Sequence, residues 1–98
     1  MKRPRATALV ALATLLVSCG RPLTSPECDA LLDRYVEKLV GSDRPGTTAA
    51  ELVELQKKAR EKAARDPAFA DCRSAVSRKK FECAMHAETV DRMEICLL

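Results

Sequence analysis

An all-α fold is what this chain predicts: a small disulfide-stapled bundle of four or five short helices, set behind a signal peptide that is cleaved off. Three observations lead there. Apolar residues recur at the three- and four-residue spacing of helices, and no apolar/polar alternation runs long enough for a strand. Helix start signals recur along the chain, as Ser, Thr or Asp ahead of Pro or of a Glu three places on. Four cysteines, Cys28, Cys72, Cys83 and Cys96, fall in a body of about 70 residues, a size at which an apolar core alone is marginal.

The chain opens on Met1-Lys2-Arg3-Pro4-Arg5 and an apolar run from Ala6 to Val17. At about 12 residues this run is too short to span a bilayer and fits the apolar part of an export signal. It closes on Leu16-Val17-Ser18-Cys19, which resembles the lipobox of bacterial lipoproteins. The resemblance implies that residues 1–18 are a signal peptide removed in front of Cys19. It implies further that Cys19 carries a thioether-linked diacylglycerol and that the lipid bilayer, reached through this acyl anchor, is the first partner. The address it implies is the bacterial cell envelope, lipid-anchored and facing the periplasm or the surface. Lipoproteins retained at the inner membrane of enteric bacteria often carry Asp after the cysteine, so Gly20 points toward the outer membrane.

Removing the leader changes the charge. The chain holds 17 Lys and Arg against 14 Asp and Glu. Lys2, Arg3 and Arg5 belong to the leader, so the remainder is balanced at fourteen of each. A neutral body has no global attraction for nucleic acid. Its aromatic residues are Tyr35, Phe69 and Phe81, too few to make a base-stacking platform.

Residues 19–26 read as a short lipidated tether and residues 27–98 as the helical domain. In the first helix Ser25 is the expected N-cap and Pro26 the first helical residue, with Glu27 and Asp29 at the positive end of the dipole. Its apolar stripe is Cys28, Leu31, Leu32, Tyr35, Val36, Leu39 and Val40, and Gly41 is expected to stop it, opening a turn-rich loop through Gly46. Thr48-Ala49-Ala50-Glu51 reads as a capping box for a second helix to about Arg65, with Leu52, Leu55, Ala59 and Ala63 inward. Its outer face carries Lys57, Lys58, Lys62 and Arg65. The i,i+4 pairs Glu54–Lys58 and Glu61–Arg65 favour a salt-bridged, solvated face there over a phosphate-binding strip.

Asp66-Pro67 ends the second helix and can open a third, on which Phe69, Cys72 and Val76 share a face. Ser77 either continues that helix or caps a new one carrying Phe81, Ala84 and Met85. In the second case Arg78, Lys79 and Lys80 occupy a first turn, where positive charge is mildly unfavourable. That oddity makes them the candidates for contact with an anionic partner. Thr89 caps a last helix, roughly Val90 to Leu97, presenting Val90, Met93, Cys96 and Leu97.

An even set of cysteines in an exported domain this small points to two disulfides. Four cysteines allow three connectivities. Cys72 and Cys83, if on one continuous helix, stand about 16 Å apart, too far to bond. Cys83–Cys96 fits a helical hairpin turning near Ala87-Glu88-Thr89, which leaves Cys28 to Cys72; a break near Ser77 keeps the other pairings open. The competing chemistry is a zinc centre, since Cys83 and His86 have Cys-x-x-His spacing and Cys72 and Cys96 complete a Cys₃His set. Paired Cys-x-x-Cys knuckles are missing and exported thiols oxidise, so the expected metal and cofactor content is none.

Catalysis is not expected. His86 is the single histidine, and neither a Gly-x-Ser-x-Gly turn nor a phosphate-cradling glycine loop occurs. Phe81-Glu82-Cys83 followed by Ala87, Thr89 and Cys96 resembles small cysteine-bearing lipoproteins of myxobacteria and their relatives, which implies a disulfide-bonded helical domain and no particular activity. In size, helicity and anchor the chain is also similar to pilotins, lipoproteins that bind a segment of an outer-membrane secretin. The implied function is a non-enzymatic accessory module that binds an envelope protein, with Leu39, Val40, Leu97 and Leu98 as candidate rim residues of an apolar groove. The alternative is a structural or surface lipoprotein with no discrete ligand.

Overall fold

A computed structural model describes residues 21–98. The signal peptide, Cys19 and the first part of the tether lie outside the described residues. Within them the chain is helical and strand-free, with six helical segments: α1 (Ser25–Asp43), α2 (Ala49–Ala64), α3 (Pro67–Ala70), α4 (Cys72–Ala75), α5 (Arg78–His86) and α6 (Val90–Leu97). The third predicted helix is broken into the single turns α3 and α4, which taken as one interrupted element leave the five-helix bundle that the sequence predicts.

The long helix α1 is the shared partner, in contact with α2, α4, α5 and α6. Its N-cap is Thr24, one residue earlier than expected, with Pro26 in the first turn. Thr24 and Glu27 form a full capping box: Thr24 Oγ1 accepts from the Glu27 N–H at 3.2 Å, and Glu27 Oε1 accepts from the Thr24 N–H at 2.9 Å. Two donors left over at a helix start are thereby satisfied, which a Ser25 cap would not have achieved. Gly41 does not end the helix. Glycine costs about 1 kcal/mol inside a helix but does not block it; the stop comes at Arg44, which Pro45 pushes out of helical conformation.

The second capping box, Thr48 with Glu51, opens α2 where the sequence places it. Leu52, Leu55, Ala59 and Ala63 face α1 but stay half-buried, because α2 packs on α1 and α3 alone. Polar ties complete the interface: Gln56 Nε2 donates to the Asp33 carbonyl at 3.0 Å, and Arg60 pairs with Asp33 at 3.2 Å. The expected pairs Glu54–Lys58 and Glu61–Arg65 do not close among the described residues. On a fully solvated face such a pair gains a few tenths of a kcal/mol and loses rotamer freedom, so the open state competes.

Ser77 breaks the chain after α4 and caps α5 by accepting from the Lys80 N–H at 3.2 Å. Thr89 caps α6 in the same way through the Arg92 N–H. The core gathers where α5 and α6 meet α1: Leu23, Cys28, Leu31, Cys72, Ala84, Ala87 and Met93. Leu23 and Met93 are its largest fully buried side chains, and each burial stabilises by about 1.5–3 kcal/mol.

Leu23 corrects the tether. The sequence predicts a short tether through residue 26, yet this side chain is only 1% exposed. Its N–H donates to the Arg73 carbonyl at 3.2 Å, and Arg73 Nε donates back to the Leu23 carbonyl at 3.3 Å. Among the described residues the core therefore takes in Leu23, four residues ahead of the expected domain boundary at residue 27.

Candidate functional site

Cys28 is bonded to Cys72 (Cα–Cα 6.3 Å) and Cys83 to Cys96 (5.7 Å). The first bond ties α4 to the start of α1; the second staples α5 to α6. Between these fixed points runs an apolar groove of about 410 Å³. Leu31, Leu32 and Tyr35 of α1 form one wall, Phe69, Cys72, Ala75 and Val76 the other, and Leu97 of α6 closes one end.

The groove stays open for a reason visible in the packing. On one flank of α1 lies α2, on the other the α5–α6 hairpin, and α2 touches neither α5 nor α6. Only the single turns α3 and α4 approach the gap, and four residues each cannot cover it. The volume falls within the range of small-ligand and peptide-anchor pockets. Such a lining offers shape and dispersion and holds no acid–base pair.

One polar feature marks the rim. The Tyr35 hydroxyl donates to Glu94 Oε2 at 2.8 Å, and this bond holds the phenol above its ordinary pKa of 10. Past it a shallower hollow continues over α6, flanked by Asp91, Glu94, Ile95 and Leu98. Ile95 is 68% exposed. An apolar floor thus runs out to an acidic lip.

The candidate residues named from sequence divide between this site and others. Leu97 lines the groove and Leu98 sits just past it, whereas Leu39 and Val40 lie near the far end of α1 and take no part. The sequence marks the lining of α1, α3 and α4 as apolar faces and does not mark it as a groove. A signal was present, since Leu31, Leu32, Tyr35 and Val36 make a stripe wider than one neighbouring helix covers.

The basic triplet is also divided. Arg78 is engaged inside the protein, its Nη1 and Nη2 each 2.9 Å from a carboxylate oxygen of Glu27. That two-pronged bond, with the Thr24 amide, holds the Glu27 carboxyl at about 2, against an ordinary 4.5. Lys80 Nζ donates to the Leu98 carbonyl at 3.0 Å. Lys79 is exposed. Arg78 is thus removed from the set facing an outside anion.

The cysteines that a zinc arrangement would need are paired in disulfide bonds in this fold. Cys72 and Cys83 belong to different disulfides, and no cluster of metal-binding side chains occurs among the described residues. His86 closes α5 at the surface, its Nδ1 donating to the Glu82 carbonyl at 2.8 Å. It borders an open hollow beside Cys83–Cys96, shared with Glu88 and Arg92.

No protein-family model, curated protein or solved structure matches this chain.

Proposed function

We propose that this protein is a small lipid-anchored accessory module of the bacterial cell envelope, non-enzymatic, which binds an apolar segment of another envelope protein in the α1–α4–α6 groove. Cys19 is its anchor, the leader is removed during export, and the outer membrane is the favoured address. The observation that carries the binding reading is the groove. In a domain whose core is this small, leaving Leu32, Tyr35, Phe69, Val76 and Leu97 around an open hollow costs stability that a bound segment returns. The acidic lip of Asp91 and Glu94 suits a segment with a basic residue beside its apolar anchors. The exposed Ile95 alongside favours this reading over a surface lipoprotein with no discrete ligand.

The test is affinity capture of the lipoprotein from detergent-solubilised membranes, run beside the groove variants Leu32→Asp and Leu97→Asp. A partner retained by the parent and lost from both variants supports the binding module. No reproducible partner, or the same partners with all three proteins, overturns it. The anchor is tested separately: Cys19→Ala should move the protein from the membrane to the soluble fraction, and a variant that stays with membranes removes Cys19 from that role.

A further inference from the structure

The two disulfides differ in what can reach them. Cys28 and Cys72 sit in the core cluster with Leu23 and Leu31. The groove that Cys72 borders is apolar, a poor seat for an ionised thiol. A smaller hollow between the ends of α2 and α3 also meets this bond, yet its two residues are only 6% and 7% exposed. Cys83, by contrast, is exposed and Cys96 half-buried, and both border the open hollow walled by His86, Glu88 and Arg92. A disulfide is broken by a thiolate that reaches one of its sulfurs, so access governs the rate. One bond is sealed in the core and the other is presented to solvent.

The exposed bond also holds part of the groove. Helix α6 supplies Leu97 to the groove wall and Glu94 to the Tyr35 hydroxyl. At eight residues it is too short to persist as a helix by itself. Without the staple it is left on the buried Met93, with Tyr35–Glu94 and Lys80–Leu98 as exposed polar ties. Polar ties at exposed positions contribute little. The α1 side of the fold, in contrast, keeps its own bond to α4 through Cys28–Cys72.

We propose that Cys83–Cys96 is a thiol–disulfide exchange site for a dithiol reductant, and that opening it releases α6 and removes the closed end of the groove while Cys28–Cys72 stays shut. The effect on partner binding rests on the groove reading given above; the exchange itself does not. A thiolate of the reductant attacks the exposed Cys83 sulfur, a new S–S bond forms, and Cys96 leaves as a thiolate that takes up a proton. The reductant's second thiol, deprotonated, then attacks its own sulfur in the mixed disulfide, and Cys83 leaves and is protonated in turn. Two electrons pass to the protein and the dithiol becomes a disulfide.

The test uses the full-length chain, extracted from membranes and held in detergent. Free thiols, Cys19 included where it carries no acyl group, are first blocked with iodoacetamide. Dithiothreitol is then added without denaturant, and the thiols it uncovers are trapped with N-ethylmaleimide and located by peptide mass spectrometry over time. Cys83 and Cys96 should be trapped at least about tenfold faster than Cys28 and Cys72. The trapped protein should lose hydrogen-exchange protection in α6 and keep it in α1 and α2. Cys83→Ser with Cys96→Ser, which carries no bulky adduct, should show the same pattern. Equal opening of the two bonds, Cys28–Cys72 opening first, or an α6 still protected in both forms overturns the proposal. Affinity capture with oxidised and trapped protein separates the two readings. A partner lost on trapping supports the link to the groove, and one held equally by both forms overturns it. Finding no partner with either form removes the groove reading alone, since the labelling and exchange outcomes do not depend on it.

Discussion

The two helical hairpins of this domain are held together by different means. In the α1–α2 hairpin the second helix has no fully buried residue, its Val53 is 58% exposed, and its ties to α1 are Gln56 and Arg60 on Asp33. The α5–α6 hairpin buries Ala84, Ala87 and Met93, carries the Cys83–Cys96 bond, and has Arg34 of α1 donating to the Ala87 carbonyl at its turn. Length explains the division. At 16 residues of mostly Ala, Glu, Lys, Leu and Arg, α2 is near the size at which a helix is marginally stable by itself. At nine and eight residues, α5 and α6 are well short of it, and tertiary burial with a covalent staple supplies the difference. The lesson is that this small core is spent on the elements least able to form alone.

The sharpest way to break that comparison is to remove the covalent ties. Cys28→Ala with Cys72→Ala opens a bond spanning 44 residues and should cost about 4 kcal/mol in urea unfolding. Cys83→Ala with Cys96→Ala, spanning 13, should cost about 3 kcal/mol. If the second pair left α5 and α6 protected from hydrogen exchange, the staple would not be what holds them.

Truncating one apolar side chain in each hairpin sharpens the contrast. Met93→Ala, at a site with 0% exposure, should lose about 2–5 kcal/mol. Leu55→Ala on α2, half-buried, should lose about 1 kcal/mol. Similar losses at the two sites would show that α2 shares the core after all.

Cap removal should act locally. Thr48→Ala should cost about 1 kcal/mol and raise exchange in the first turn of α2 while leaving α6 unchanged. Thr89→Ala should do the reverse.

The mildest effect is in acid. Glu27 has its carboxyl lowered from 4.5 to about 2 by Arg78 and Thr24. A depressed carboxyl stabilises the fold fully above its unfolded value, and that contribution fades as pH falls from about 4.5 toward 2. Glu27→Gln should flatten this part of the stability–pH curve, read as the urea midpoint at successive pH values. An unchanged acid limb would assign it to other carboxylates.

Much of the fold was legible from short-range signals. The Thr48–Glu51 box, the Thr89 cap and the span of α6 each depend on residues within three or four positions of one another, whereas Ser77 reads equally as a cap or as a continuing helix. The misses have physical causes. Thr24 and Ser25 are both competent caps, and Glu27 stands three places from Thr24, which decided between them. Gly41 carries a propensity cost too small to stop a helix that Leu39 and Val40 continue. Leu23 was invisible because a lone apolar residue between Pro22 and Thr24 has no period to reveal its face. The groove is not legible in the sequence because a stripe shows which residues avoid water, and does not show how many neighbours arrive to cover them.

By itself, then, the sequence determined the helical class, most helix limits and a cysteine set able to form two bonds, all matters of composition and of contacts a few residues apart. Tertiary structure alone decided which cysteines meet, that Leu23 joins the core, that Arg78 faces Glu27 and that one side of α1 is only partly covered. Most of those outcomes join residues some 40 to 60 positions apart, such as Cys28 with Cys72, Leu23 with Arg73 and Tyr35 with Glu94. Which of them meet depends on the three-dimensional competition for a core too small to cover every apolar face.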